Sequence, residues 1–201
     1  MALIRSVFQD ELDGVSQSLV DLSKMAADSM KKATEALLAA DLRIAEDVIS
    51  ADEKIDNFQH DLDSRIIDII ARQQPVASDL RALITALRMS ADLERMGDLS
   101  HHIAKVARLR HPNNAIPNDL VLAFTEMGYV AEKLSTKVAT VITTRDTDMA
   151  LQVEKDDDEM DDLHRKVISG IISNDSSITI ESAIDLTLLG RYYERFADHA
   201  V

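Results

Sequence analysis

Pro75, Pro112 and Pro117 are the only prolines in this chain, and only five glycines accompany them. Proline cannot continue a helix and glycine is the next weakest helix former, so the sequence is free to run in long helices between widely spaced breaks. Apolar residues fall at the spacing such helices need. Phe8, Leu12, Val15, Leu19, Leu22, Met25, Ala26, Ala33 and Leu37 recur so as to line one face of a helix over 2–39. Asp41 interrupts, and Leu42, Ala45, Val48, Ile49, Ile55, Phe58, Leu62, Ile66 and Ile69 form a second stripe. "RQQPVASD" ends that helix at Pro75; Ser78 or Asp79 is expected to cap a third, with Leu80, Leu83, Ile84, Leu87 and Leu93 facing inward.

The other two prolines lie in "LRHPNNAIPNDL" (109–120), after which the pattern starts over. A fourth helix carries Phe124, Met127, Ala131, Leu134, Val138 and Val141, and a fifth, after Asp146, carries Ala150, Val153, Met160, Val167 and Ile171. "SNDSS" (173–177) marks a turn before a sixth with Ile180, Ile184, Leu188 and Tyr193. Short connections favour antiparallel neighbours, so the expected fold is all-α: two tandem three-helix bundles, residues 1–111 and 112–201. The third helix should reach about Arg110, which maps to position 210 in the second half; the chain stops at Val201, so the last helix is expected to be cut short.

The halves share chemistry as well as pattern. "DLERMGDLSHH" (92–102) and "YYERFADHA" (192–200) both contain Glu-Arg-x-x-Asp, 100 positions apart. "AEDVISADEKID" (45–56) aligns with "ALQVEKDDDEMD" (150–161) at an offset of 105, which sets Asp52 on Asp157 and Asp56 on Asp161. Each half thus has an acid pair at i, i+4 on its second helix and another on its third, and such pairs share a helix face about 5–6 Å apart. Asp56 lies 19 residues before Pro75 and Glu94 lies 19 after it, while Asp52 and Asp98 are each 23 away. Equal counts in an antiparallel hairpin mean equal heights, roughly 28–35 Å from the bend at ~1.5 Å per residue. Asp161 with Glu194 and Asp157 with Asp198 balance in the same way about the second bend.

With 36 acids in the chain, chance alone yields about six acidic i, i+4 pairs, so one pair signifies little. Matched pairs at equal height in both halves point further, to two carboxylate quartets that repel themselves unless cations neutralise them. The candidate metal ligands are therefore Asp52, Asp56, Glu94 and Asp98 in the first half and Asp157, Asp161, Glu194 and Asp198 in the second. Oxygen ligands at this density suit Mg²⁺, Mn²⁺, iron or Zn²⁺, and bridging carboxylates allow more than one ion per cluster. Arg95 and Arg195 either orient these carboxylates or form ordinary salt bridges. His101 and His102 follow Asp98 at ligand spacing, but their repeat counterparts are Val201 and a position past the end, so the repeat gives them no ligand role.

A net charge of −14 disfavours nucleic acid and anionic lipid. The chain has no cysteine, hence no thiolate site. No apolar run approaches the ~20 residues of a membrane span, and "MALIRSVFQDELDG" lacks a signal-peptide core, so a cytoplasmic location is expected. A Gly-rich phosphate loop, a G-x-S-x-G elbow, HExxH and paired Glu-x-x-His are all missing, which leaves no catalytic candidate and argues against a ferritin-like di-iron enzyme.

"ARQQPVASDLRALITALRMSADLERMGDLSHHIAKVA" (71–107), with "AEDVISADEKID" before it, "YYERFADHAV" echoing it and "FQDELDGVSQSLVDLSKMA" at the start, closely resembles the PhoU family over essentially the whole chain. The resemblance implies two similar three-helix bundles related by a pseudo-twofold axis. It implies multinuclear metal clusters held by E(D)xxxD motifs, which fall here on the same eight acids. It also implies a cytoplasmic, often dimeric regulator that restrains the phosphate-specific ABC transporter and its sensor histidine kinase when phosphate is plentiful. Two other readings stand beside it: a metal-dependent phosphohydrolase, since clustered metal ions can activate water, and a helical scaffold whose acids are only a solvated face.

Overall fold

The computed structural model describes residues 2–173 and 178–201, which form six α-helices. They are α1 (Ala2–Ala39), α2 (Leu42–Gln73), α3 (Ala77–Arg110), α4 (Val121–Thr144), α5 (Thr147–Ser173) and α6 (Ile180–Asp198). The expected turn at "SNDSS" falls, over 174–177, outside the described residues.

The breaks arise where local chemistry requires them. Ala40 turns left-handed at φ 51°, and Asp41 then caps α2 by accepting the Ile44 N–H at 3.0 Å. The same turn recurs in the second half. Arg145 is left-handed at φ 56°, and Asp146 Oδ1 accepts the Asp148 and Met149 N–H groups at 2.9 and 3.1 Å. Positions 41 and 146 differ by 105, the offset that aligns the acid motifs of α2 and α5. Gln74, left-handed at φ 47°, closes α2 by donating its N–H to Ile70 O just before Pro75. The start of α3 departs from expectation. Val76 is the cap residue and has no side-chain cap bond; Ser78 and Asp79 lie inside the helix, where Asp79 favours the positive end of the helix dipole.

Within each half the three helices pack on one another in sequence, and the halves meet along two seams, α1 against α4 and α3 against α6. The buried apolar residues form one continuous core across both halves. Tyr193 of α6 lies at its centre, with its ring 6.0 Å from that of Phe124 on α4 and its hydroxyl 2.7 Å from Thr34 Oγ1 on α1. The linker over 111–120 is tied to the α1–α2 turn, with Asn114 Nδ2 donating to Leu38 O at 2.9 Å, while Ala115, Ile116 and Leu120 join the core.

The inward face of α6 differs from the expected one. Of the expected stripe, Ile180, Ile184 and Leu188 are exposed (83%, 55% and 42%) and Tyr193 alone is buried, joined by Leu186, Leu189, Phe196 and Ala197. Asp185 also turns inward, because Arg110 at the end of α3 donates its Nε–H to it and pairs with Glu181 at 2.6 Å. One residue along a helix is about 100° of rotation, which carries the Ile184 row to solvent. Leu80 and Ile84 of α3 are likewise exposed, whereas Leu83 and Leu93 are buried and Leu87 is partly so.

Candidate metal centres

Asp52 and Asp56 flank Ile55 on α2, and Glu94 and Asp98 flank Gly97 on α3. A Cβ on Gly97 would lie 3.0 Å from Ile55 Cδ1 and Cγ2, so glycine is what lets the two helices approach at the height of the acids. Gly97→Leu is expected to wedge them apart, destabilising the protein by about 1–3 kcal/mol. In equilibrium denaturation and metal titration it should weaken the first quartet and leave the second unchanged.

The four acids of the first half act on one another. Glu94 has its pKa raised to about 6, by burial first and then by the charges of Asp98, Asp56 and Asp52, against the lowering effect of Arg95. Asp56 is raised by burial, then by Asp52 and Asp98, with His101 opposing. Asp52 is only 9% exposed. Its Oδ2 is bonded to His101 Nδ1, and its Oδ1 is buried with no hydrogen-bond partner. Asp98 accepts from Arg95 Nη1.

The second half repeats the arrangement on α5 and α6. Asp157 is raised to about 6 by burial, then by Asp198, Asp161 and Asp158. Glu194 is raised by burial and then by Asp198, and Arg191 opposes the rise. Asp157 Oδ1 and Glu194 Oε2 are buried without hydrogen-bond partners. The guanidinium at this quartet belongs to Arg191, which donates to Glu194 Oε1; among the described residues Arg195 forms no ion pair. In the acidic run 156–159, Asp156 turns instead to Lys137 and Lys133 at 2.6 and 3.0 Å, and Glu159 to Lys133 at 3.2 Å. Burial pushes the Asp156 carboxyl up, but the two lysines outweigh it and hold it below its ordinary value.

The eight predicted acids thus fall into two groups of four whose charges act on one another, each with orphaned buried oxygens; among the described residues, only Asp52 and Asp98 of the eight bring ligand atoms within 4.8 Å of two further donors. An unpaired buried acceptor is costly, and a cation coordinated by these oxygens would satisfy it, so the donor set fits hard or borderline metal ions. His101, set aside on repeat grounds, belongs with the first group: Asp52, Asp98 and His101 each offer a ligand atom within 4.8 Å of the others. Its signal in the sequence was the Asp-x-x-His spacing.

The raised carboxyls make a pH prediction. Glu94 and Asp157 hold a proton more tightly when folded than when unfolded. Their contribution to stability is therefore complete below about pH 4 and lost as pH rises through about 6. Metal-stripped protein is expected to melt higher at about pH 5 than at about pH 7.5, by circular dichroism, and a Glu94→Gln, Asp157→Asn variant should lose much of that difference.

An all-helical double bundle with paired acid clusters on its hairpins is a recognisable class, and comparison with known proteins identifies the family. The PhoU domain family matches residues 19–107 and 124–201. The phosphate-specific transport system accessory protein PhoU homolog 2 of Mycobacterium tuberculosis is 42% identical over 198 residues, 98% of this chain and 93% of its own. A PhoU homolog of Clostridium acetobutylicum, also described as a phosphate-specific transport system accessory protein, is 30% identical over 98% of this chain and 90% of its own. The crystal structure of PhoU from Pseudomonas aeruginosa superposes with a TM-score of 0.84 at 26% identity, over 96% of this chain and 93% of that one. The phosphate transport system regulatory protein PhoU from Streptococcus pneumoniae gives 0.87 at 25% identity, over 96% and 91%. The chain belongs to the PhoU family.

Proposed function

We propose that this protein is a non-enzymatic regulator of phosphate uptake and phosphate-starvation signalling. It works in the cytoplasm as a homodimer, restraining a phosphate ABC transporter through its ATPase subunit and the associated sensor histidine kinase when phosphate is plentiful. The observation that carries this reading is the near full-length likeness to accessory proteins of phosphate-specific transport systems. Among the described residues no helix is long and apolar enough to cross a membrane, which suits a protein that acts on a transporter without being part of its span.

The metal reading belongs to the same proposal. Asp52, Asp56, Glu94 and Asp98 hold one ion or cluster, and Asp157, Asp161, Glu194 and Asp198 hold the other. Their orphaned oxygens, Asp52 Oδ1 in the first group and Asp157 Oδ1 and Glu194 Oε2 in the second, support the assignment. When bound, the metal supplies a local positive centre on a body of net charge −14, suited to phosphate or to acidic groups of a partner. The carboxylates themselves join α2 to α3 and α5 to α6, so loading stiffens both hairpins.

Affinity purification of the tagged protein from phosphate-replete cells tests the regulatory reading. The transporter ATPase and the sensor kinase are expected to copurify, and light scattering should give the mass of two chains. Absence of both partners, together with turnover of phosphate esters that is lost in Asp98→Ala, would replace the adaptor with a phosphohydrolase.

A further inference from the structure

The two candidate centres differ in one donor. His101 lies one turn beyond Asp98 on α3, with its Nδ1 on Asp52 Oδ2 and its Nε2 buried without a partner. Asp52 is itself more than nine-tenths buried and keeps one oxygen unpaired beside that ring. These are three potential ligands, from two helices, whose donor atoms lie within 4.8 Å of one another. At the 100-residue offset, the position equivalent to His101 is Val201, which has no ligand atom. His164, one turn along α5 from Asp161, packs against Gly190, 3.1 Å from where a Cβ would stand there. Among the described residues the second-half acids bring no three ligand atoms within 4.8 Å of one another, and His164, which feels the Asp161 charge, joins no such set.

We infer that the repeats have diverged into two chemically different metal sites: a mixed nitrogen–oxygen site completed by His101 in the first half, and an all-oxygen site in the second. The inference rests on the metal-binding reading above and adds selectivity to it. Imidazole raises affinity for borderline ions such as Zn²⁺, whereas a set of carboxylates alone suits Mn²⁺ or Mg²⁺. Offered one equivalent of Zn²⁺ and an excess of Mn²⁺, the protein sorts them, with Zn²⁺ in the first half and Mn²⁺ in the second. His102 takes no part: among the described residues its ring nitrogens do not join the three donor atoms that lie within 4.8 Å of one another.

The test strips the full-length protein with chelator, adds one equivalent of Zn²⁺ and records the zinc X-ray absorption spectrum. Imidazole scattering is expected, and it should vanish in His101→Gln and persist in His102→Gln. By competition titration His101→Gln should bind that zinc on the order of 10–100-fold more weakly. Its binding of Mn²⁺, in a background with Glu94→Gln and Asp98→Asn, should be unchanged. An oxygen-only zinc spectrum, with Zn²⁺ still displaced by Glu94→Gln and Asp98→Asn, would overturn the inference and leave the metal-binding reading standing. If neither Zn²⁺ nor Mn²⁺ binds either quartet, the metal-binding reading itself fails.

Discussion

A protein carrying Glu94→Gln and Asp98→Asn is expected to lose first-half metal affinity by on the order of 100-fold or more while becoming more stable in its metal-free form. Both effects have one cause. Glu94 is pushed up to about 6 because it ionises among Asp98, Asp56 and Asp52 in a half-buried position. Removing two charges removes repulsion, and the same two charges are what a cation would neutralise. Solvent screening limits the gain to about 1 kcal/mol, or about 2–4 °C in melting temperature for a chain of this size. Elemental analysis and thermal melts near neutral pH read the two halves of the prediction. Unchanged metal content would place the ligands elsewhere, and a lower melting temperature would mean the carboxylates make stabilising contacts of their own.

Tyr193→Ala is expected to cost about 3–5 kcal/mol, and Tyr193→Phe only about 1 kcal/mol. The ring is fully buried between Phe124 and Thr34, so truncation opens a cavity where three helices from both halves meet, whereas the phenylalanine variant loses only the bond to Thr34. Because one core runs through both halves, urea denaturation should remain a single transition in both variants. Two resolved transitions would show that the halves unfold separately.

Both quartets were legible in the sequence because a proline fixes the bend and helical rise is constant. Asp56 and Glu94 could be placed level by counting from Pro75, and the structure finds their charges acting on each other. Helix number is equally readable, and Asp41 and Asp146 announce the starts of α2 and α5, whereas α3 begins at Val76 with no side-chain cap to announce it. Periodicity, however, reports which positions are apolar and not what covers them. Ile180, Ile184 and Leu188 have the spacing of an inward stripe, yet the row of Leu186, Leu189, Tyr193 and Phe196 is the one that fills the core, and Asp185 comes inward with it to pair with Arg110, 75 residues away. Likewise the repeat pointed to Arg195, and the guanidinium at the second quartet comes from Arg191, one turn earlier. His101 has no twin in the second half, so matching the repeats is blind to it.

The seams between the halves join α1 to α4 and α3 to α6, and each seam unites an element with its own duplicate. A contact of like with like is the geometry of a symmetric dimer. An ancestor with a single repeat would cover the same faces by associating with a second molecule, at a strength set by its concentration in the cell. Joining the two repeats in one chain removes that dependence and leaves each free to change alone, so His101 on one side need not be matched on the other.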